Sequence, residues 1–192
     1  MSRGLRVALI LAAITLFLCC VAGLGVTLLG TRLVGRAFIV SPARVQAVGR
    51  EIADYEVPAG YQEMFAMNAM GAKLVSIGPA DSASDGMMLM VVQFSGEVEI
   101  SREEMERQVE QALTGRLAPI RADLAKVEEK EVTIRGEPVT LTVREGATES
   151  GERWRRVTGA FTGKGGPAML IVTGQVSAWD QSAVDQFIAS MR

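Results

Sequence analysis

The sequence has no histidine, and its two cysteines, Cys19 and Cys20, are adjacent near the N-terminus. Without histidine, the chain cannot form serine–histidine–aspartate or cysteine–histidine nucleophilic systems, and it has no histidine general base. Without cysteine after residue 20, the rest of the chain also lacks the ligands of ordinary zinc sites. No disulfide can stabilise the chain after residue 20, and cysteine usage does not reveal the redox compartment. Carboxylates, hydroxyls, lysines, tyrosines and methionines remain for any chemistry, and we expect no cofactor and no resident metal.

Charge is unevenly distributed along the chain. Residues 1–50 carry six arginines and no acid, whereas residues 51–192 carry 14 basic and 22 acidic residues, a formal charge of −8. The two parts therefore suit different environments. A net negative charge opposes binding to a phosphate backbone, so we expect no nucleic-acid partner.

A stretch of 24 residues, Val7–Gly30, contains no charged side chain. At about 1.5 Å per residue, a helix of this length crosses the roughly 30 Å hydrocarbon layer of a bilayer. The pattern predicts a transmembrane helix over 7–30 after a short basic tail over 1–6, with the membrane lipid bilayer as its surroundings. A cleaved signal peptide is the alternative, but its apolar region spans only about 7–15 residues. Phe17 and Leu18 do not fit a lipid-attachment motif, which favours apolar packing for the two thiols.

The orientation of this segment is less clearly encoded, because arginines flank both of its ends. The positive-inside rule, taken literally, favours a cytoplasmic C-terminal domain. A short basic tail before a long apolar run is typical of a signal-anchor that sends the following domain across. We therefore expect a single-pass protein of the cell membrane whose domain lies on the extracytoplasmic, periplasmic side.

Residues 31–59 are predicted to form a juxtamembrane linker with an amphipathic helix. Ser41 and Pro42 are suited to the start of a helix. Val45, Val48, Ile52 and Tyr55 then recur at helical spacing. This apolar stripe packs either on the protein's own domain or on a second chain.

Residues 60–192 are predicted to form one α+β domain. Strands are expected over 61–67, 72–77, 87–94, 132–135, 139–143, 153–161 and 168–176, mostly in hairpins, with helices over 101–117 and 180–191. Strands that follow one another in hairpins favour an antiparallel sheet. The expected fold class is therefore α+β: an N-terminal transmembrane helix followed by an antiparallel β-sheet domain with packed helices, including a C-terminal helix.

The order of these elements, together with the closing helix AVDQFIASMR and the stretch IADYEVPAGYQEMFAM, resembles the PsbP and DcrB-like superfamily. The resemblance covers residues 60–192. It implies an accessory or assembly protein without catalytic residues, of the kind found in membrane-anchored bacterial proteins, and it transfers no site residue onto this sequence.

Six of the ten methionines lie between residues 64 and 90. Thioethers are soft ligands suited to Cu(I), and Met64, Met67 and Met70 would share one face of a helix. In a strand, Met67 would point away from the other two, and Met87, Met88 and Met90 would also divide between two faces. The sequence therefore favours packing, with copper binding as the alternative.

Four further motifs are weak. Asp81–Gly86 imitates the start of a calcium loop but lacks oxygen ligands at later positions, so a solvated turn is expected. Glu128, Glu129 and Glu131 are expected on a solvated face. Arg153–Arg156 is expected to form surface ion pairs, and Gly163–Pro167 to be a hairpin turn and not a phosphate loop.

Two functions remain open. The first is a non-catalytic accessory or assembly subunit of a larger membrane complex, with other subunits as partners. Its possible interaction surface comprises Val45, Val48, Ile52, Tyr55 and Trp154. The second is a membrane-anchored module that binds a hydrophobic small ligand or lipid in an apolar pocket. An enzyme ranks third, because no local pattern supports carboxylate or serine–lysine catalysis.

Overall fold

The structure, a computed structural model, describes residues 38–69, 71–81, 86–95 and 122–192, together with residues 104, 105, 107, 109 and 111. The strands are β1 (Phe38–Ile39), β2 (Tyr61–Ala69), β3 (Ala72–Pro79), β4 (Met88–Phe94), β5 (Ala122–Ile134), β6 (Glu137–Thr148), β7 (Arg153–Gly163) and β8 (Gly166–Gln175). Two helices have both ends described, α1 (Pro42–Ile52) and α2 (Gln181–Ser190), and a 3-10 turn spans Val176–Ala178. The five separately described residues between 104 and 111 are helical. Residues 39–192 form one compact unit; of the unit formed by residues 1–38, only Phe38 is described.

All eight strands belong to one sheet, in the order β1-β2-β3-β4-β8-β7-β6-β5. Across the sheet, every pair of neighbouring strands from β2 to the end strand β5 is antiparallel. Two meanders, β2–β4 and β5–β8, are therefore joined where β4 pairs with β8. These two strands lie at the centre, and most of their side chains are apolar on both faces of the sheet, with Gln93 of β4 as a buried polar exception.

One face of the sheet, called the core face here, carries both helices. Leu89 and Val91 of β4 and Leu170 and Val172 of β8 are buried on it. Each fully buried aliphatic side chain contributes about 1.5–3 kcal/mol relative to exposure. The main hydrophobic core therefore lies between this face and the two helices.

Both helices begin and pack as their sequences dictate. In α1, Pro42 stands in the first turn, where its missing N–H costs no helical hydrogen bond. In α2, the Asp180 carboxylate accepts a hydrogen bond from the Ala183 N–H at 3.0 Å, which caps the helix. The buried residues of the two helices are Val45, Val48, Gly49 and Ile52 in α1 and Ala183, Val184, Phe187 and Ile188 in α2.

The C-terminal end of α1 is held by the turn between β7 and β8. The Lys164 N–H donates to the Ile52 carbonyl at 2.8 Å, and Lys164 Nζ donates to the Arg50 carbonyl at 3.0 Å. Just beyond the helix, the backbones of Asp54 and Arg192 exchange two hydrogen bonds, at 3.1 and 2.8 Å. The turn expected at Gly163–Pro167 thus supplies partners for carbonyls that a helix end leaves unsatisfied.

The expected fold class, an α+β domain behind a transmembrane helix, is wrong. The described residues are mostly a large eight-stranded antiparallel sheet with two helices. None of their helices is long and apolar enough to cross a membrane. The stretch 7–30, for which the transmembrane helix is predicted, lies outside the described residues.

The sheet is larger than expected mainly because of β5. Six of its first ten residues, ADLAKVEEKE, are charged and carry little strand propensity, yet this segment pairs with β6 from Ala122↔Thr148 to Glu131↔Thr140. Pairing with a neighbouring strand overrides local propensity. The helix expected over 101–117 is seen only at its five described residues.

Candidate functional site: a methionine-rich sheet face

The sheet face opposite the core face is rich in methionine. Because side chains alternate along a strand, Leu89 and Val91 on the core face place Met88 and Met90 of β4 on the other side. Met105, from the helical residues, and Met169 of β8 belong to a second buried cluster on that side. We call this side the methionine face; its methionines are Met64, Met67, Met88, Met90, Met105 and Met169.

A β-bulge places Met64 on this face. The register of β2 and β3 shifts between Glu63 and Phe65, so that Glu63 opposes Ile77 and Phe65 opposes Ser76. Glu63 faces the core, where its Oε1 accepts a hydrogen bond from the Tyr55 hydroxyl at 2.7 Å. The extra residue breaks strict alternation, and the Met64 side chain packs over Gly78, whose β-carbon position would be 3.3 Å from Met64 Cγ. The prediction that Met64 and Met67 point to opposite sides is therefore wrong.

Strand β3 provides a floor of small residues between methionine-bearing strands. Phe65 and Met90 pair with Ser76 from either side, and continuing the β3–β4 register places Gly78 opposite Met88. Ser76 is fully buried, and its hydroxyl has no hydrogen-bond partner among the described residues. On this face, the small residues Ser76 and Gly78 of β3 thus lie between two strands that carry thioether side chains. We call this strip of β3 the trough.

Exposure differs across the methionine face. Met105 and Met169 are buried at 2% and 1% exposure, whereas Met64 is 40% exposed. Met67, Met88 and Met90 are half-buried, as are three other apolar side chains of this face, Phe65, Leu74 and Phe94. Methionine is flexible and polarisable, so a half-exposed surface of this kind can adapt to the shape of a partner.

Four residues of the interaction surface predicted from the sequence are buried inside the domain. Val45, Val48, Ile52 and Tyr55 are at most 6% exposed and belong to the main core. The structure thus shows the first of the two alternatives for the α1 stripe, docking on its own sheet. Burial raises the pKa of Tyr55, and its hydrogen bond to Glu63 adds to the rise.

Trp154, the fifth residue, lies half-buried on β7, away from the others. It is on the methionine-face side of the strand, and its indole Nε1 is buried without a hydrogen-bond partner among the described residues. The structure therefore does not bring the five predicted residues together into one surface.

The arginines of β7 divide between the faces, and those on the core-face side form ion pairs as expected. Arg155 Nε donates to Glu145 Oε1 at 2.7 Å, and Arg153 Nη2 donates to Glu145 Oε2 at 2.8 Å. The hydrogen bond from Arg155 lowers the pKa of Glu145 below its usual value. Arg155 also lies 5.2 Å from the ring centre of Trp179, within range of a cation–π interaction.

A groove lies next to this ion-pair cluster, between α2 and strands β5–β7. It encloses about 260 Å³. Its apolar lining includes Leu141, Val143, Val157, Val184 and Ile188, and charged side chains such as Lys130 and Asp185 stand at its rim. The volume is below the roughly 300–1,000 Å³ of ordinary small-molecule sites.

The remaining motifs add no further site. Glu128, Glu129 and Glu131 are exposed, as expected of a solvated face, and Glu129 pairs with Lys126 at 2.6 Å. Residues 82–85 of the imitated calcium loop, and Met70, lie outside the described residues. Within the part of the chain that is described, no three histidine, cysteine, aspartate or glutamate side chains cluster as a metal site would require.

Sequence reasoning missed the shared face of Met64, Met88 and Met90. Two signals were available, namely the i, i+2 spacing of Met88 and Met90 in an apolar strand and the small residues Ser76 and Gly78 in the neighbouring one. The bulge that adds Met64 has no local signal, because it arises from pairing with β3.

No protein-family model matches the chain, and no curated protein is similar to it in sequence. The structure is similar to that of LpqN, a protein involved in cell envelope biogenesis of Mycobacterium tuberculosis, with a TM-score of 0.36 and 10% sequence identity. The match covers 72% of this chain and 81% of that chain. This is distant similarity to an envelope-associated protein, and nothing about activity, partners or membrane side follows from it. The expected resemblance to the PsbP and DcrB-like superfamily stays a prediction.

Proposed function

We propose that this chain is a non-catalytic accessory or assembly subunit of a membrane protein complex, and that it binds a protein partner through the methionine face. The observation that carries the proposal is the half-exposed apolar side of β2–β4, with Phe65, Met67, Met88 and Met90. An apolar surface of this kind on a folded domain is typical of a protein–protein contact. Methionine suits such a contact because its flexible thioether fills irregular gaps.

The cellular setting of this proposal rests on the sequence. The uncharged stretch 7–30 would attach the chain to a membrane, and the basic tail before it favours an extracytoplasmic domain. The proposed relation to the PsbP and DcrB-like superfamily supports an accessory role. The absence of histidine from the whole sequence supports a non-catalytic one.

The test is purification of the full-length protein from its native membrane in mild detergent, followed by mass spectrometry of co-purifying proteins. Two variants are compared. Met67→Gln with Met88→Gln makes the methionine face polar, and Val127→Gln makes a polar change on β5, where Val127 is 57% exposed. We expect a stoichiometric partner with the wild type and the Val127 variant, and its loss with the methionine-face variant. Recovery of the protein alone, or a partner unaffected by the methionine-face variant, contradicts the proposal.

A second candidate function is binding of a hydrophobic small ligand or lipid, which the apolar groove beside α2 favours. Native mass spectrometry of the purified protein distinguishes it. A co-purifying compound that is lost when Val184→Gln alters the groove lining would support this function, and a clean mass of the protein alone would remove it.

A further inference from the structure

The three thioethers that surround the β3 trough come from two strands that do not pair with each other. Met64 belongs to β2, and Met88 and Met90 belong to β4, with β3 between them. Neighbouring strands are about 4.8 Å apart, so the backbones of β2 and β4 are about 10 Å apart across β3. Met88 and Met90 are two residues apart on one face, which separates them by about 7 Å along the strand.

The β3 floor between these side chains includes a residue without a side chain, Gly78. Gly78 has no β-carbon, and only the Cγ and Sδ of Met64 come within 4 Å of the position that one would occupy. That Sδ lies 3.8 Å from this position, so the Met64 thioether lies over the glycine, where it also accepts a hydrogen bond from Gln62 Nε2 at 3.8 Å. Long, flexible side chains can bridge a gap of about 10 Å above such a floor.

We propose that Met64, Met88 and Met90 form a binding site for a soft monovalent cation, Cu(I), above Ser76 and Gly78. Thioether sulfur is a ligand that prefers soft ions, and the trough places three of these ligands on one half-exposed surface. Their flexibility allows the sulfur atoms to adjust to the coordination that the ion requires. The site goes beyond the proposed function and does not rest on it.

Ag(I) is the probe, because it is soft and diamagnetic and does not change oxidation state in buffer. The experiment uses the full chain in detergent with Cys19→Ala and Cys20→Ala, since thiolates would otherwise bind the ion. Methionine methyl groups are labelled with carbon-13 and followed by NMR during titration. We expect saturation at one equivalent, with the largest shifts on Met64, Met88 and Met90.

Three variants sharpen the test. Met64→Leu, Met88→Leu and Met90→Leu together remove the thioethers but keep the surface apolar, and saturable binding should be lost. Met87→Leu with Met191→Leu is the matched control, because both methionines are buried on the core face and should leave the affinity unchanged. Gly78→Val keeps all the ligands but raises the floor under Met64, and should weaken binding by about tenfold, as loss of support around a metal site does.

Absence of saturable Ag(I) binding overturns the proposal, as does binding that survives in the triple leucine variant. Largest shifts at Met87, Met169 or Met191 would also overturn it, because those side chains are buried outside the trough. The triple leucine variant keeps the face apolar. Loss of the ion with retention of a protein partner would therefore separate this site from the proposed function.

Discussion

At the residue scale, the structure gives physical reasons for positions that look unremarkable in the sequence, and Gly49 is the clearest of them. It lies within α1, where glycine costs about 1 kcal/mol relative to alanine. The Tyr55 hydroxyl occupies the space where a side chain would be, since a β-carbon at Gly49 would lie 1.9 Å from that oxygen. Glycine therefore permits the partly buried Tyr55–Glu63 hydrogen bond.

We predict that Gly49→Ala destabilises the protein despite the higher helix propensity of alanine. The methyl group must displace the tyrosine and break its hydrogen bond, a change that costs about 1–3 kcal/mol in a packed core. Urea unfolding followed by tryptophan fluorescence measures the effect. A double-mutant cycle with Tyr55→Phe is the control, because removing the hydroxyl should relieve part of the cost. Equal or greater stability of Gly49→Ala would show that Tyr55 does not occupy this position.

At the element scale, the β7–β8 turn and α1 act as one unit through Lys164. Its side chain donates to a carbonyl of the last helical turn and forms an ion pair with Asp54 at 2.8 Å. A cation at a helix C-terminus is stabilising by about 0.3–1 kcal/mol. The hydrogen bond from Lys164 also lowers the pKa of Asp54 below its ordinary value of 3.8.

We predict that Lys164→Met destabilises the protein at neutral pH and that the loss shrinks in acid. A carboxylate whose pKa is lowered by folding stabilises the folded state above its unfolded pKa, and this contribution is lost as pH falls through the folded value. The difference in unfolding free energy between wild type and Lys164→Met should thus be largest above pH 3.8 and decrease below it. Urea unfolding over that range is the measurement, with Lys126→Met, on exposed β5, as a control. A difference that stays constant into acid would contradict the role given to Asp54.

The elements also show how far the sequence could predict the fold and the site. Both described helices, the hairpins and the central strands follow from apolar periodicity and turn residues, which act over a few neighbouring positions. The extent of β5 and the bulge at Met64 do not, because both are imposed by partner strands distant in the sequence. The methionine trough depends on that bulge. Strict alternation separates Met64 from Met67 and gives no reason to place Met64 on the same face as Met88 and Met90.

At the scale of the whole molecule, β5 lies at one end of the described sheet. A free edge strand can pair with another chain, and proteins limit this with charges and bulges. Strand β5 has both, since Lys126, Glu129 and Glu131 are exposed along it and the register shifts between Lys126 and Glu128. The charged residues that lower the strand propensity of β5 thus also protect its edge.

We predict that Glu129→Thr with Glu131→Thr promotes self-association through β5. Threonine favours strands and removes the like-charge repulsion that two approaching edges would meet. Light scattering coupled to size-exclusion chromatography should then show concentration-dependent dimers or larger species. The control is Glu56→Thr with Glu149→Thr, which removes the same charge from exposed positions outside β5. If both pairs associate equally, net charge keeps the molecules apart. If neither associates, the bulge and the remaining lysines are sufficient to block the edge, and the two glutamates do not have the protective role argued for them.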